Sequence, residues 1–183
     1  MDFLDYRTAI TIFHLLGVVF GAGGALASDF IFFSSIKDKK ISHTEMRFLK
    51  LGSKMIWVGL AILVISGALL FATDPDRYLH SGKFLAKMTI VAIIIANGIV
   101  FHLVHIPRLH RHAGKYLPSE AEFVRRSPSL IASGAISIIS WISALVLGAI
   151  RSVPYDYWVI MAFYLGILAF GVLTGFILKK RIF

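Results

Sequence analysis

The chain has no cysteine. That excludes disulfides, thiolate metal sites and iron–sulfur clusters. Charge is scarce too: 16% of the 183 residues are Asp, Glu, Lys or Arg, well below the usage of a soluble domain. No separate soluble domain is therefore expected. There is no Gly-rich loop followed by Lys and Ser or Thr, and so no P-loop phosphate site. What the chain has instead is apolar length: 57% of residues are hydrophobic and the mean hydropathy is +0.79.

Five apolar runs stand near residues 8–35, 54–73, 84–106, 129–150 and 155–178. Each is close to or above the roughly 20 residues that a spanning helix needs. The expected fold is all-α, a single polytopic domain with five transmembrane helices. The first run is long and its flank MDFLDYR is acidic as well as basic, which argues against a cleaved leader. The net charge of +9 does not point to nucleic acid, because the basic residues sit in loops between apolar runs. Anionic lipid headgroups and topology account for them better. One set of connections, IKDKKISHTEMRFLKLGSK, RLHRHAGKYLPSEAEFVRRS and the tail KKRIF, holds 14 of the 19 Lys and Arg. The remaining five are Arg7, Arg77, Lys83, Lys87 and Arg151. The positive-inside rule then places the N-terminus outside and the C-terminus in the cytoplasm, which for a bacterial chain means the inner membrane.

Local signals refine this layout. Ser42 and Glu45 have capping-box spacing, which predicts a short helix over 43–52 running into the second span. TDPDRYLHSG reads as a turn, and RSVPYDYW as a tight hairpin in which Pro154 starts the last helix. Ser133, Ser137, Ser140, Ala144 and Gly148 share one face of span four, a close-packing face or a polar path. Their hydroxyls can also be satisfied on their own helix backbone. Gly171 and Gly175 form a GxxxG packing motif in span five.

An imidazole in hydrocarbon is costly without a partner, so His14, inside the first run, is a functional candidate. At about 100° per residue, Gly17, Gly21, Gly24 and Ser28 fall within about 80° of it. Two readings stand for this strip. It leaves room for a flat cofactor such as haem beside a ligating histidine, or it is a small-residue face on which another helix packs. Lys87 on span three is matched in depth to His14, as a site residue or as a snorkelling anchor. His80 lies in the loop just before that span, as a solvated loop histidine or a ligand from an infolded loop.

A second polar group sits near the other end. Asp29 follows His14 by 15 residues, roughly 22 Å along a helix axis, too far for one shared mononuclear site. His102 and His105 are three apart on span three and are expected to share a face. With Asp29 they could bind a divalent metal or copper, or pair with the carboxylate, with Lys54 as another donor. Asn97 lies nearby on the same span.

These motifs resemble a group of small polytopic membrane proteins that includes the copper-resistance D family and the haem-containing protoporphyrinogen oxidase family of bacteria. The resemblance rests on FHLLGVVFGAGG, KMTIVAIIIANG, VHIPRL and RRSPSL, and covers about residues 8–150. It implies a helical bundle. Through the haem branch it implies His14 as a haem ligand and Lys87 as a second essential polar residue. The chain departs from that branch at Asn97, where an aromatic–histidine pair is expected. It departs again at SDFIFFSS, which replaces a Pro-Arg-Leu-aromatic end to span one. For the copper branch, Met55, Met88 and Met161 form no repeated set of soft ligands. The expectation is a b-type haem protein with a redox role, holding haem b at His14, with Lys87 or His80 as further partner and a quinone or redox protein as electron partner. The alternative is transport of copper or another small solute without haem.

Overall fold

A computed structural model describes residues 5–182, with side chains described to residue 177. Part of the first flank and the side chains of the basic tail lie outside the described residues. Helix α1 spans Tyr6–Lys37, α2 His43–Ala72, α3 Pro75–Leu79 and α4 Gly82–Val100. A π-helical turn over Phe101–His105 leads into α5, Ile106–Arg111. A single 3-10 turn, Leu117–Ser119, precedes α6, Ala121–Ala149, and α7 covers Tyr157–Ile182. Among the described residues the fold is all-α, and five helices, α4 to α5 counting as one, are long and apolar enough to cross a membrane. Large apolar side chains line the outside of the bundle: Phe30 is 78% and Phe170 72% exposed. Such surface suits lipid rather than water.

The helices alternate in direction, so the bundle has two ends. The basic-loop end carries residues 38–42 and 112–120; the short-loop end carries 73–81 and 150–156. Helix α2 starts with the expected capping box: Glu45 N–H donates to Ser42 Oγ at 3.1 Å and Ser42 N–H to Glu45 Oε2 at 2.7 Å. It runs unbroken from the loop into the membrane span. At the short-loop end the structure refines two expectations. TDPDRYLHSG contains a helical turn, α3, with Asp74 accepting from Arg77 N–H at its start. Helix α7 begins at Tyr157 rather than at Pro154, because Asp156 Oδ1 accepts from Val159 N–H at 3.0 Å and caps it there.

Helix α6 begins ahead of the apolar run and passes through Pro128. Proline cannot donate to the carbonyl four residues back. That carbonyl belongs to Val124, and Ser127 Oγ donates to it at 2.7 Å, so the helix continues.

Two apolar clusters hold the bundle. One packs Leu60, Ile90, Ile94, Trp141, Leu147 and Tyr164 through most of its length. The other packs Phe32, Ile36, Met46, Leu109, Leu117 and Phe123 at the basic-loop end. Both basic loops are tied together there: Gly114 N–H donates to Ile41 O at 2.7 Å and Leu117 N–H to Lys39 O at 2.9 Å. Gly114 has φ +85°, a backbone conformation that glycine adopts without strain.

Candidate functional site

The glycine strip of α1 is covered by α2. A Cβ at Gly17 would meet Ile62 at 2.9 Å, and one at Gly24 would meet Met55 at 3.2 Å. From the other side, a Cβ at Gly59 would collide with the Gly21 backbone, and one at Gly52 with Ser28 Oγ. Trp141 of α6 occupies the space beside Gly21. Of the two sequence readings, the strip is therefore the helix-packing face, and it offers no room for a ring. The reason is physical: without hydrophobic drive between helices in lipid, small residues on both partners let the backbones meet. The GxxxG of α7 behaves alike, with Gly171 against Ile139 and Gly175 against Ile131.

His14 sits one turn above that strip, half-buried against α2. Its Nδ1 lies 2.8 Å from Ser66 Oγ. Ser66 is fully buried, and its hydroxyl donates to the Ile62 carbonyl at 2.6 Å. A serine has one proton to give. In the tautomer in which Ser66 Oγ gives its proton to the Ile62 carbonyl, Oγ accepts from His14 Nδ1. Nε2 then carries the free lone pair. This is the way a ligating histidine is commonly oriented, by a partner on its other nitrogen.

Two glycines that the sequence reading had not tied to this site flank His14 and Lys87. A Cβ at Gly67 of α2 would meet only His14 Cε1, at 3.8 Å. A Cβ at Gly148 of α6 would meet only Lys87 Nζ, at 3.7 Å. Lys87, on α4, is within electrostatic reach of His14. No hydrogen bond or ion pair engages its ammonium among the described residues. Four helices thus bring a free imidazole nitrogen and a free ammonium to one level, each beside a glycine. His80 is not part of this group. It is exposed, and its Nδ1 donates to Asp76 O at 2.8 Å, closing α3. Lys83 is likewise occupied, donating to Ile150 O at 2.6 Å.

The second cluster is arranged differently from its expectation. His102 and His105 do not share a face. The π turn advances less around the axis per residue than an α-helix, so three steps no longer return to the same side. His102 is exposed beside Trp57, with Nδ1 2.9 Å from Ser53 Oγ. His105 is 2% exposed, and its Nδ1 accepts from Arg108 Nη1 at 3.4 Å. Asp29 contacts neither histidine nor Lys54. Among the described residues, no group of three His, Asp or Glu is disposed to hold a metal ion.

Asp29 instead faces a cavity of about 40 Å³ enclosed by α1, α2, α4 and α6. Ser28, Ser53, Asn97, Ser137 and Trp141 share its lining. Asp29 is 5% exposed, its carboxylate interacts with the Ser137 hydroxyl, and Oδ2 has no hydrogen-bond partner.

The serine face of α6 turns inward, and its members reach other helices rather than only their own backbone. Ser133 Oγ donates to Asn97 Oδ1 at 2.7 Å while Asn97 Nδ2 donates to Ser133 O at 3.0 Å. Ser140 Oγ lies 2.8 Å from the Tyr164 hydroxyl.

The chain has no match among protein-family models, characterised proteins or solved structures. The likeness to the copper-resistance D group accordingly stands on its short motifs alone.

Proposed function

We propose that this is a b-type haem protein of the bacterial inner membrane with a redox role, in which His14 Nε2 would hold the haem iron. The observation that supports it is the Ser66 anchor, which engages Nδ1 and leaves Nε2 without a hydrogen-bond partner among the described residues. Haem, when bound, supplies one-electron chemistry. The chain's own residues have separate tasks. Ser66 holds the imidazole plane. Gly67 and Gly148 keep side-chain bulk away from His14 and Lys87. The Lys87 ammonium favours an anionic group at this level, such as a propionate. The surrounding apolar side chains exclude water.

The basic asymmetry supports an outside N-terminus. The His14 level then lies toward the outer face and the Asp29 cavity toward the cytoplasm. A membrane quinone or a redox protein is the fitting electron partner for such a site.

The test is the colour of the folded protein. Full-length protein expressed with ample haem should purify red, with a Soret band and a reducible α-band. His14→Ala should abolish the bands or convert them to a five-coordinate form. Protein that is folded, colourless and loaded with stoichiometric copper would overturn the haem reading in favour of transport.

A further inference from the structure

We propose that the Asp29 cavity is a proton-binding site, loaded through His102 and Ser53. This goes beyond the haem reading, since Asp29 lies roughly 22 Å from His14 along α1 and needs no haem.

Three observations carry it. Asp29 is almost fully buried, its Oδ2 has no hydrogen-bond partner, and the Ser137 hydroxyl is the neutral group that interacts with the carboxylate. An uncompensated carboxylate charge at membrane depth is costly, and binding one positive charge removes it. The cavity beside it has room for a small number of waters. Finally, Ser53 lines that cavity and is hydrogen-bonded at 2.9 Å to His102, which is exposed. A connected set of exchangeable protons therefore leads from His102, on the outer face of the π turn beside Leu103 and Val104, to the cavity beside the carboxylate.

The groups facing Asp29 fit a proton better than a metal cation. On α1, Ser28 is the other polar lining residue; on α2 they are Ser53 and Trp57, and the adjacent Lys54 is exposed and does not line the cavity. From α4 comes Asn97, with His102 of the π turn behind Ser53. From α6 come Ser137 and Trp141. Asp29 is thus the one ionisable side chain among the described lining residues. A hard cation wants about six oxygen ligands. Here Ser53 is engaged by His102 and the Asn97 amide by Ser133. Too few free oxygens remain for an ion, but enough for a hydrogen-bonded water.

The transfer conserves every atom. A proton binds His102 Nε2 and the Nδ1 proton passes to Ser53 Oγ. The original Ser53 hydroxyl proton passes to cavity water, and that water protonates Asp29. Only N–H and O–H bonds form and break, and one positive charge moves. Trp141, whose ring packs against Gly21, also lines the cavity.

The test is infrared difference spectroscopy of the full-length protein in lipid nanodiscs during a pH titration. A carboxylic-acid C=O band should titrate, shift when aspartate is isotopically labelled, and vanish in Asp29→Asn. Ser53→Ala and His102→Phe should keep the band but slow its shift in D2O by on the order of tenfold or more. Labelling assigns the band in the wild-type chain, so the test survives if Asp29→Asn misfolds. The proposal is overturned if no aspartate band titrates, or if both relay variants exchange at the wild-type rate. Loss of the band on adding Na+ at constant pH would also overturn it, in favour of a cation site.

Discussion

Replacing Gly59 by alanine tests the packing of α1 on α2 directly. The added Cβ would lie 2.5 Å from Gly21 Cα and 2.8 Å from Gly17 O. Carbon atoms in ordinary contact are about 3.5–4.0 Å apart, so α1 has to retreat by roughly 1 Å. The obstacle is backbone, which cannot rotate away as a side chain does. A gap of that size forfeits about a quarter to a half of each contact's attraction. Over a few tens of atom pairs at about 0.1–0.2 kcal/mol each, the expected loss is about 1–2 kcal/mol. Gly23, on the same helix, is the control, because a Cβ there meets nothing within 4 Å. Gly23→Ala should leave stability unchanged or raise it by up to about 1 kcal/mol through helix propensity. The measurement is detergent-titrated unfolding of both variants in mixed micelles without haem. Equal stability of Gly59→Ala and Gly23→Ala would refute the account of the strip as a helix seam. Gly59→Ala that folds normally but loses only haem would return the strip to the cofactor.

Other outcomes follow from the same contacts. Ser66→Ala removes the acceptor that fixes the His14 ring, and should weaken haem retention by roughly tenfold to a hundredfold, read by haem transfer to an apo-acceptor. Asn97→Ala should cost about 1 kcal/mol, and a double-mutant cycle with Ser133→Ala should show the two losses to be non-additive. For orientation, a C-terminal reporter that works only in the cytoplasm should be active; activity of a periplasm-only reporter at that position would invert both sites.

The sequence by itself determined the class and the spans. Five runs of this length and apolarity have few alternatives, since a spanning backbone must satisfy its own hydrogen bonds. It also determined the capping box at Ser42 and Glu45, a local device whose geometry needs no distant partner. It marked His14 and Asp29 as polar groups that need a partner in lipid, and Lys87 as a site residue or a snorkelling anchor. Tertiary structure decided what each of them meets. A run of glycines at helical spacing looks the same whether it faces a ring or a second helix; only the seating of α2 on α1 makes it a seam. Ser66, Gly67 and Ser53 carried a signal, being small or polar in an apolar span, but their register against α1 and α4 depends on how the helices cross. His102 and His105 parted because a π turn ahead of Pro107 altered the rotation that an α-helical count assumes. Periodicity fixes the face of one helix, whereas a site is made by the faces of several, and their relative rotation is a property of packing.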